Sequence, residues 1–280
     1  MNKEHSFHYT YSAERQEEIQ KIRSKYLPPE EDKMTRLPQP IPRFLLTSNT
    51  KYIKVKTVFI LKKGGVIMTI AFLGDSITFG YGLDHAENRY STLVSQMMGM
   101  EELNYGITGT LVAKAGLNKA DGNDFLSRAH LIDDADVAVI FGGTNDYFWS
   151  DKPIYGAGDQ YFETAVKKLA ERVKEKRRGK VTLFVTPYPH NGIGNFFGAD
   201  HWEASNRHDT CEKNYLGHTL KDYVDVIEEI CEKNHIPCLN LFHDFGFSWQ
   251  AHTSDGCHPN EAGHILIAKA ISEKLEKIKP

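Results

Sequence analysis

From Met68 onward, short apolar runs alternate with longer stretches in which apolar residues recur every three or four positions. Thr69 to Leu73 is an apolar run closed by a glycine, the pattern of a strand buried on both faces of a parallel sheet. Val137 to Phe141, Val181 to Val185 and Pro237 to Leu241 repeat it, and Leu103 to Tyr105 is a weaker strand candidate. Between these runs the period changes to that of a helix. Phe162, Val166, Leu169 and Val173 share one face, as do Leu220, Tyr223, Ile227 and Ile230. The last helix is read with Ile265, Ala268 and Ile271, or with Ile267, joined by Leu275 and Ile278. Strand followed by helix, repeated, predicts a parallel sheet covered on both sides. Ligands of such sheets sit at the carboxyl ends of the strands. Gly74-Asp75-Ser76 and Gly142-Gly143-Thr144-Asn145-Asp146 both fall there.

Residues 1–67 stand outside this alternation. Ser12 can cap a helix from Glu14 to about Tyr26, with Ile19, Ile22 and Tyr26 on one side and Pro28-Pro29 ending it. The expected division is a helical extension over 1–36, a linker or weakly ordered segment over 37–67, and a chemistry-bearing domain over 68–280. Pro38, Pro40 and Pro42 mark the linker, which runs into the β-prone Tyr52 to Leu61. Two readings of the break at Met68 stand side by side. One is an ordinary N-terminal extension. The other is translation starting at Met68, since Lys62 to Ile67 could be encoded by purine-rich codons holding a ribosome-binding sequence. On that reading His5 to Leu37 resembles the start of a small bacterial membrane protein.

Composition narrows the function classes. The chain has 280 residues, 40% hydrophobic and 25% charged, with a formal net charge of −3, so electrostatics favours neither nucleic acid nor stable membrane association. Cys211, Cys231, Cys238 and Cys257 form no CxxC pair, which argues against zinc and a disulfide framework and for reduced thiols in the cytoplasm. The N-terminus lacks the apolar stretch of a signal peptide, and no apolar run reaches the roughly 20 residues that span a bilayer.

Four segments carry candidate chemistry. Ser76 follows Gly74-Asp75 at the tip of a buried strand, where a serine either caps the next helix or presents Oγ as a nucleophile beside a backbone N–H. Asp255 and His258, in Asp255-Gly256-Cys257-His258-Pro259, are close enough in one loop for the carboxylate to orient the imidazole that takes the serine proton. His243 and His252 are weaker competitors. Asn145 either caps a glycine-rich turn or supplies a side-chain oxyanion donor, and Gly106 is a candidate third donor through its N–H. Tyr147-Phe148-Trp149 either lines a wall of the site or belongs to the core.

In this order the four segments resemble the SGNH (GDSL-type) hydrolases. Gly74-Asp75-Ser76 matches the first block of that family, Gly106 the second, Gly143-x-Asn145-Asp146 the third and Asp255-x-x-His258 the last. The resemblance covers Met68 to the C-terminus. It implies a flavodoxin-like three-layer α/β/α sandwich on a five-stranded parallel sheet, and esterase, lipase, thioesterase or acetyl-carbohydrate esterase activity without a metal or other cofactor. Ile77-Thr78 and Cys257 depart from the family pattern outside the catalytic set.

The expected reaction is hydrolysis of a small-molecule ester with a short, acetyl-like acyl group, through a Ser76–His258–Asp255 acyl-enzyme mechanism. A lysophospholipase or thioesterase reaction is the alternative within the family. Asp75, Thr144, His190 and Trp202 are expected to contact substrate. The insertion between Pro187 and Thr219 carries Tyr188, His190, Asn191, Phe196, Phe197, His201 and Trp202, a mixture that suits either a sugar ring or a loop packed on its own aromatics. Two rivals remain open: a metal-dependent phosphoesterase, which needs further clustered ligands, and a carbohydrate-binding module without catalysis. The pattern of residues leaves the oligomeric state undetermined.

Overall fold

A computed structural model describes residues 62–63, 66–116, 122–190, 213–214, 216–243 and 245–278. The expectations for residues 1–36, and for most of 37–67, lie outside these. Lys62–Lys63 and Val66–Ile67 form a short antiparallel hairpin ahead of the main sheet.

Five strands build that sheet: β1 (Thr69–Gly74), β2 (Glu101–Gly106), β3 (Val137–Phe141), β4 (Val181–Val185) and β5 (Cys238–Leu239). Every pairing is parallel and the order is β2-β1-β3-β4-β5. The chain leaves β1 toward one edge to form β2, then returns across it to β3. This reversal opens a crevice at the carboxyl ends of β1 and β3, where ligands of open α/β sheets bind.

Among the described residues eight α-helices accompany the strands: α1 (Ser76–Phe79), α2 (Tyr90–Met98), α3 (Phe125–Arg128), α4 (Thr144–Trp149), α5 (Phe162–Lys176), α6 (Leu220–Asn234), α7 (Trp249–His252) and α8 (Glu261–Ile278). Successive strand residues face opposite ways, so each apolar run feeds two cores. Ile70 and Phe72, with Val137, Val139 and Phe141, pack under α2 and α8 through Tyr90, Val94, Ile267 and Ile271. Ala71 and Leu73, with Ala138 and Ile140, pack under α5 and α6 through Val166, Leu169, Tyr223 and Ile227. The result is a flavodoxin-like α/β/α sandwich. Ile70 to Leu73 are wholly buried, and each large side chain among them contributes roughly 1.5–3 kcal/mol. That burial anchors β1, the element that delivers Ser76.

Three details differ from the hydrophobic pattern. β2 starts at Glu101, earlier than its apolar residues indicate, because it is an edge strand whose side chains are at most partly buried and whose register is set by backbone pairing to β1. β5 shrinks to two residues: the Leu241 N–H bonds the Thr186 hydroxyl at 2.9 Å instead of extending the ladder. In α8 the buried stripe runs through Ile267, Ala268, Ile271 and Leu275, while Ile265 faces solvent. Among the described residues, no helix is long and apolar enough to cross a membrane.

Candidate active site

β1 ends at Gly74, and α1 begins two residues later with Ser76. The glycine is needed for close approach and not for a left-handed turn. A Cβ at Gly74 would lie 1.8 Å from Thr78 Oγ1, an impossible contact. The Thr78 hydroxyl pairs with the Tyr90 hydroxyl at 2.7 Å, which ties the first turn of α1 to α2. Asp75 caps α1, its Oδ1 accepting from the Ile77 N–H at 2.9 Å. Gly80, with φ of 85°, ends the helix, and the Tyr81 N–H returns to the Ser76 carbonyl at 2.9 Å.

The second component comes from the loop between α7 and α8. A bridge between Thr253 and Pro259 and a 2.9 Å bond from the Ser254 N–H to the His258 carbonyl close this loop on itself. Within it, Asp255 Oδ1 accepts from the backbone N–H groups of Cys257 and His258 at 2.9 and 2.7 Å. Asp255 Oδ2 lies 2.6 Å from His258 Nδ1, and His258 Nε2 lies 3.0 Å from Ser76 Oγ. Ser76 and His258, 182 positions apart, thus join one chain of hydrogen bonds. Burial alone would raise the Asp255 pKa. The bonds from the His258 ring and backbone and from the Cys257 N–H, with the attraction of His258, outweigh it and hold the carboxyl below its usual range. A carboxylate so placed fixes the ring tautomer that leaves Nε2 able to accept the serine proton. The Tyr81 ring covers the imidazole, centroids 4.5 Å apart. His243 is exposed and His252 bonds to the Ser248 backbone, so neither competitor joins this chain.

Asn145 starts the first turn of α4 at the end of β3, facing the same crevice. Its Nδ2 donates to the Thr110 carbonyl at 3.0 Å and, more weakly, to Asp75 Oδ2 at 3.5 Å. Gly106 departs from expectation. Its N–H bonds Asn104 Oδ1 at 2.9 Å, and its missing side chain leaves room for the α1 backbone, since a Cβ would come within 2.3 Å of the Phe79 nitrogen. In this structure the glycine is a packing site for α1, and its N–H is engaged by Asn104.

Two residues without an assigned role from the sequence organise the loop after β2. Asp146 is fully buried and accepts from the Val112 and Ala113 N–H groups at 2.8 and 3.0 Å. Burial raises its pKa to about 7, and burial likewise raises that of Asp75 to about 6. Asp146 lies inside the motif that carries Asn145, so its neighbour was the available signal. Arg128, at the end of α3, donates into the same region, and nothing in its local sequence marks it.

The residues expected to contact substrate fare differently. Asp75 is buried and occupied as a helix cap. Thr144 is buried at the start of α4. His190 is fully buried against Phe148 and Tyr188, and burial drives its pKa down to about 3, which keeps it neutral. Tyr188 is also buried, its hydroxyl donating to the Cys257 carbonyl at 2.7 Å behind His258. These side chains support the site from within. Tyr147 is core, while Phe148 and Trp149 are only partly covered. Trp202 and the rest of the insertion from residue 191 to 212 lie outside the described residues. Among the described residues, no three His, Cys, Asp or Glu side chains gather as a metal ion would require, and Cys231, Cys238 and Cys257 carry free thiols.

Several solved structures are similar to this chain. A protein from Lactobacillus plantarum is 27% identical, with a TM-score of 0.62, over 76% of this chain and 99% of that one. A possible lipase from Chitinophaga pinensis is 20% identical, with a TM-score of 0.56, over 75% and 98%. A carbohydrate acetylesterase family member from Sinorhizobium meliloti is 16% identical, with a TM-score of 0.53, over 75% and 98%. No curated protein sequence matches. The GDSL-like lipase/acylhydrolase family matches residues 72–266, a span that holds the Ser76 loop, Asn145, Asp255 and His258, and the chain belongs to that family.

Proposed function

We propose that this protein is a serine esterase that removes short acyl groups, acetyl foremost, from small-molecule esters, with acetylated carbohydrates as the preferred class. The carrying observation is the hydrogen-bonded chain Ser76–His258–Asp255, with contacts of 3.0 and 2.6 Å. Ser76 Oγ attacks the ester carbonyl as His258 Nε2 takes its proton, and Asp255 stabilises the imidazolium that forms. The Ser76 N–H and Asn145 Nδ2 meet the oxyanion, which replaces the long 3.5 Å contact from Asn145 to Asp75. His258 then protonates the leaving alcohol. Water, activated by the same imidazole, attacks the acyl-enzyme and releases the acid.

The sequence supports a short acyl group because the insertion between Pro187 and Thr219 offers no extended apolar stretch. The Sinorhizobium meliloti neighbour, a carbohydrate acetylesterase family member, is consistent with an acetyl sugar substrate. Burial of Tyr188 and His190 moves sugar recognition away from those two residues.

The test is a hydrolysis panel of acyl chain lengths and acetylated sugars on the full chain, with S76A as control and a fluorophosphonate probe for the nucleophile. Acetyl esters should turn over fastest, and labelling should map to Ser76. Wild-type rates in S76A would refute the mechanism, and faster turnover of long acyl chains would refute the acyl preference.

A further inference from the structure

One buried guanidinium reaches both halves of the crevice. Arg128 is 6% exposed; its Nε donates to the Asn123 carbonyl at 2.6 Å and its Nη1 to the Tyr105 carbonyl near the end of β2. Its Nη2 donates to the Gly74 carbonyl at 3.1 Å and to Thr110 Oγ1 at 3.0 Å. Gly74 is the last residue of β1, two before Ser76. Thr110 is the residue whose carbonyl accepts from Asn145 Nδ2 at 3.0 Å. We infer that Arg128 is a positioning residue for the ester hydrolysis proposed above, and rests on that reading: its fork fixes the distance between the Ser76 loop and the loop that aims the Asn145 amide.

The geometry requires arginine. A planar guanidinium offers five N–H donors in fixed directions, enough to hold all four acceptors at once. A lysine ammonium keeps the charge but is a single point that cannot bridge β1 to the Thr110 loop. Burial lowers the Arg128 pKa to about 10, far enough above neutrality that the group stays charged. Its carbon Cζ lies 5.2 Å from the Phe125 ring centroid, so packing as well as hydrogen bonding holds the fork still.

The experiment measures steady-state kinetics, thermal melting and affinity for a boronic acid that forms a tetrahedral adduct on Ser76. The proteins are wild type, R128K, T110V and R177K, all full chain. Arg177 is a buried guanidinium at the opposite end of the sheet and reports on fold stability alone. R128K should lose about 10- to 100-fold in kcat, with KM changed less than about two-fold, since displacement near 1 Å at a reacting centre costs that much. Boronate affinity should fall with kcat/KM. T110V, which removes one acceptor while leaving the cation, should lose about 3- to 10-fold in the same direction. R177K should melt earlier yet keep wild-type kcat below its melting range. If R128K stays folded with kcat/KM within about two-fold of wild type, the inference fails. If R128K does not fold, unchanged kinetics in T110V overturn it. Retained activity in S76A is a separate outcome and refutes the nucleophile assignment instead.

Discussion

The two ends of the sheet each contain a buried arginine, and the two are built alike. At the amino end, Arg177 donates to the carbonyls of Ile132, Ala135 and Val181 and to the Thr182 hydroxyl. At the carboxyl end, Arg128 donates to the carbonyls of Gly74, Tyr105 and Asn123 and to the Thr110 hydroxyl. Burial lowers the pKa of each to about 10. Both donate to backbone oxygens where a strand starts or stops. What differs is the surroundings. Arg177 stands among strand starts with one exposed rim, where Asp133 pairs with Arg172. Arg128 stands behind the residues that gather Ser76, Asn145 and His258. The same clamp is therefore a matter of stability at one end and of reaction geometry at the other.

Substitutions sharpen that contrast, in descending order of effect. S76A should lower kcat by at least about 10⁴-fold and leave the melting curve nearly unchanged, because one small hydroxyl is removed from a site whose packing remains. N145A should lower kcat by about 10²–10³-fold, the usual loss for one oxyanion donor. Since its amide also bonds Thr110, a drop in melting temperature should accompany it. R128K and R177K should then separate, the first losing about 10- to 100-fold in kcat and the second losing only stability. Equal kinetic losses in both would erase the distinction between the two ends.

The smallest effect concerns pH. Asp75 and Asp146 at the carboxyl end are buried carboxyls whose pKa values are raised to about 6 and about 7. A group raised in the folded state holds its proton more tightly there than in the unfolded chain. Its stabilising contribution is full below the ordinary carboxyl pKa and fades as pH rises through the raised value. The stability of the wild type relative to D146N should therefore decline between pH 4 and 7, by at most about 1.4 kcal/mol per pH unit. Denaturant unfolding of both proteins across that range measures it. A difference that grows with pH would reverse the sign and remove Asp146 as a carboxyl buried at a cost.

Much of the molecule was legible before its structure. Four of the five strands announced themselves as apolar runs because a strand between two helical layers must be hydrophobic on both faces. β2 was faint because an edge strand needs backbone pairing more than hydrophobicity. Ser76, Asn145, Asp255 and His258 were legible because each sits in a short segment whose glycines and turns force a distinctive local pattern. Gly106 is ambiguous in sequence for a related reason: a glycine after a strand marks a close approach, and sequence does not say whether a ligand or a neighbouring helix approaches. Asp75 and His190 are polar residues that the structure buries, one as a helix cap and the other against Phe148 and Tyr188. Their burial depends on what packs over them, which local sequence does not encode.

The alternation of periods, the strand-end motifs and their order along the chain determined the fold class, the family and the four polar residues around which a reaction can be argued. These are local matters, written in neighbouring residues because backbone hydrogen bonding and side-chain direction act over a few positions. The three-dimensional arrangement alone decided that Ser76 and His258 touch, that Gly106 faces a helix, and that Arg128 is tied to both halves of the crevice while Arg177 is tied to neither. Those contacts join residues far apart in the chain. They are fixed by how helices and strands dock, a sum of many weak packing terms that no single segment carries.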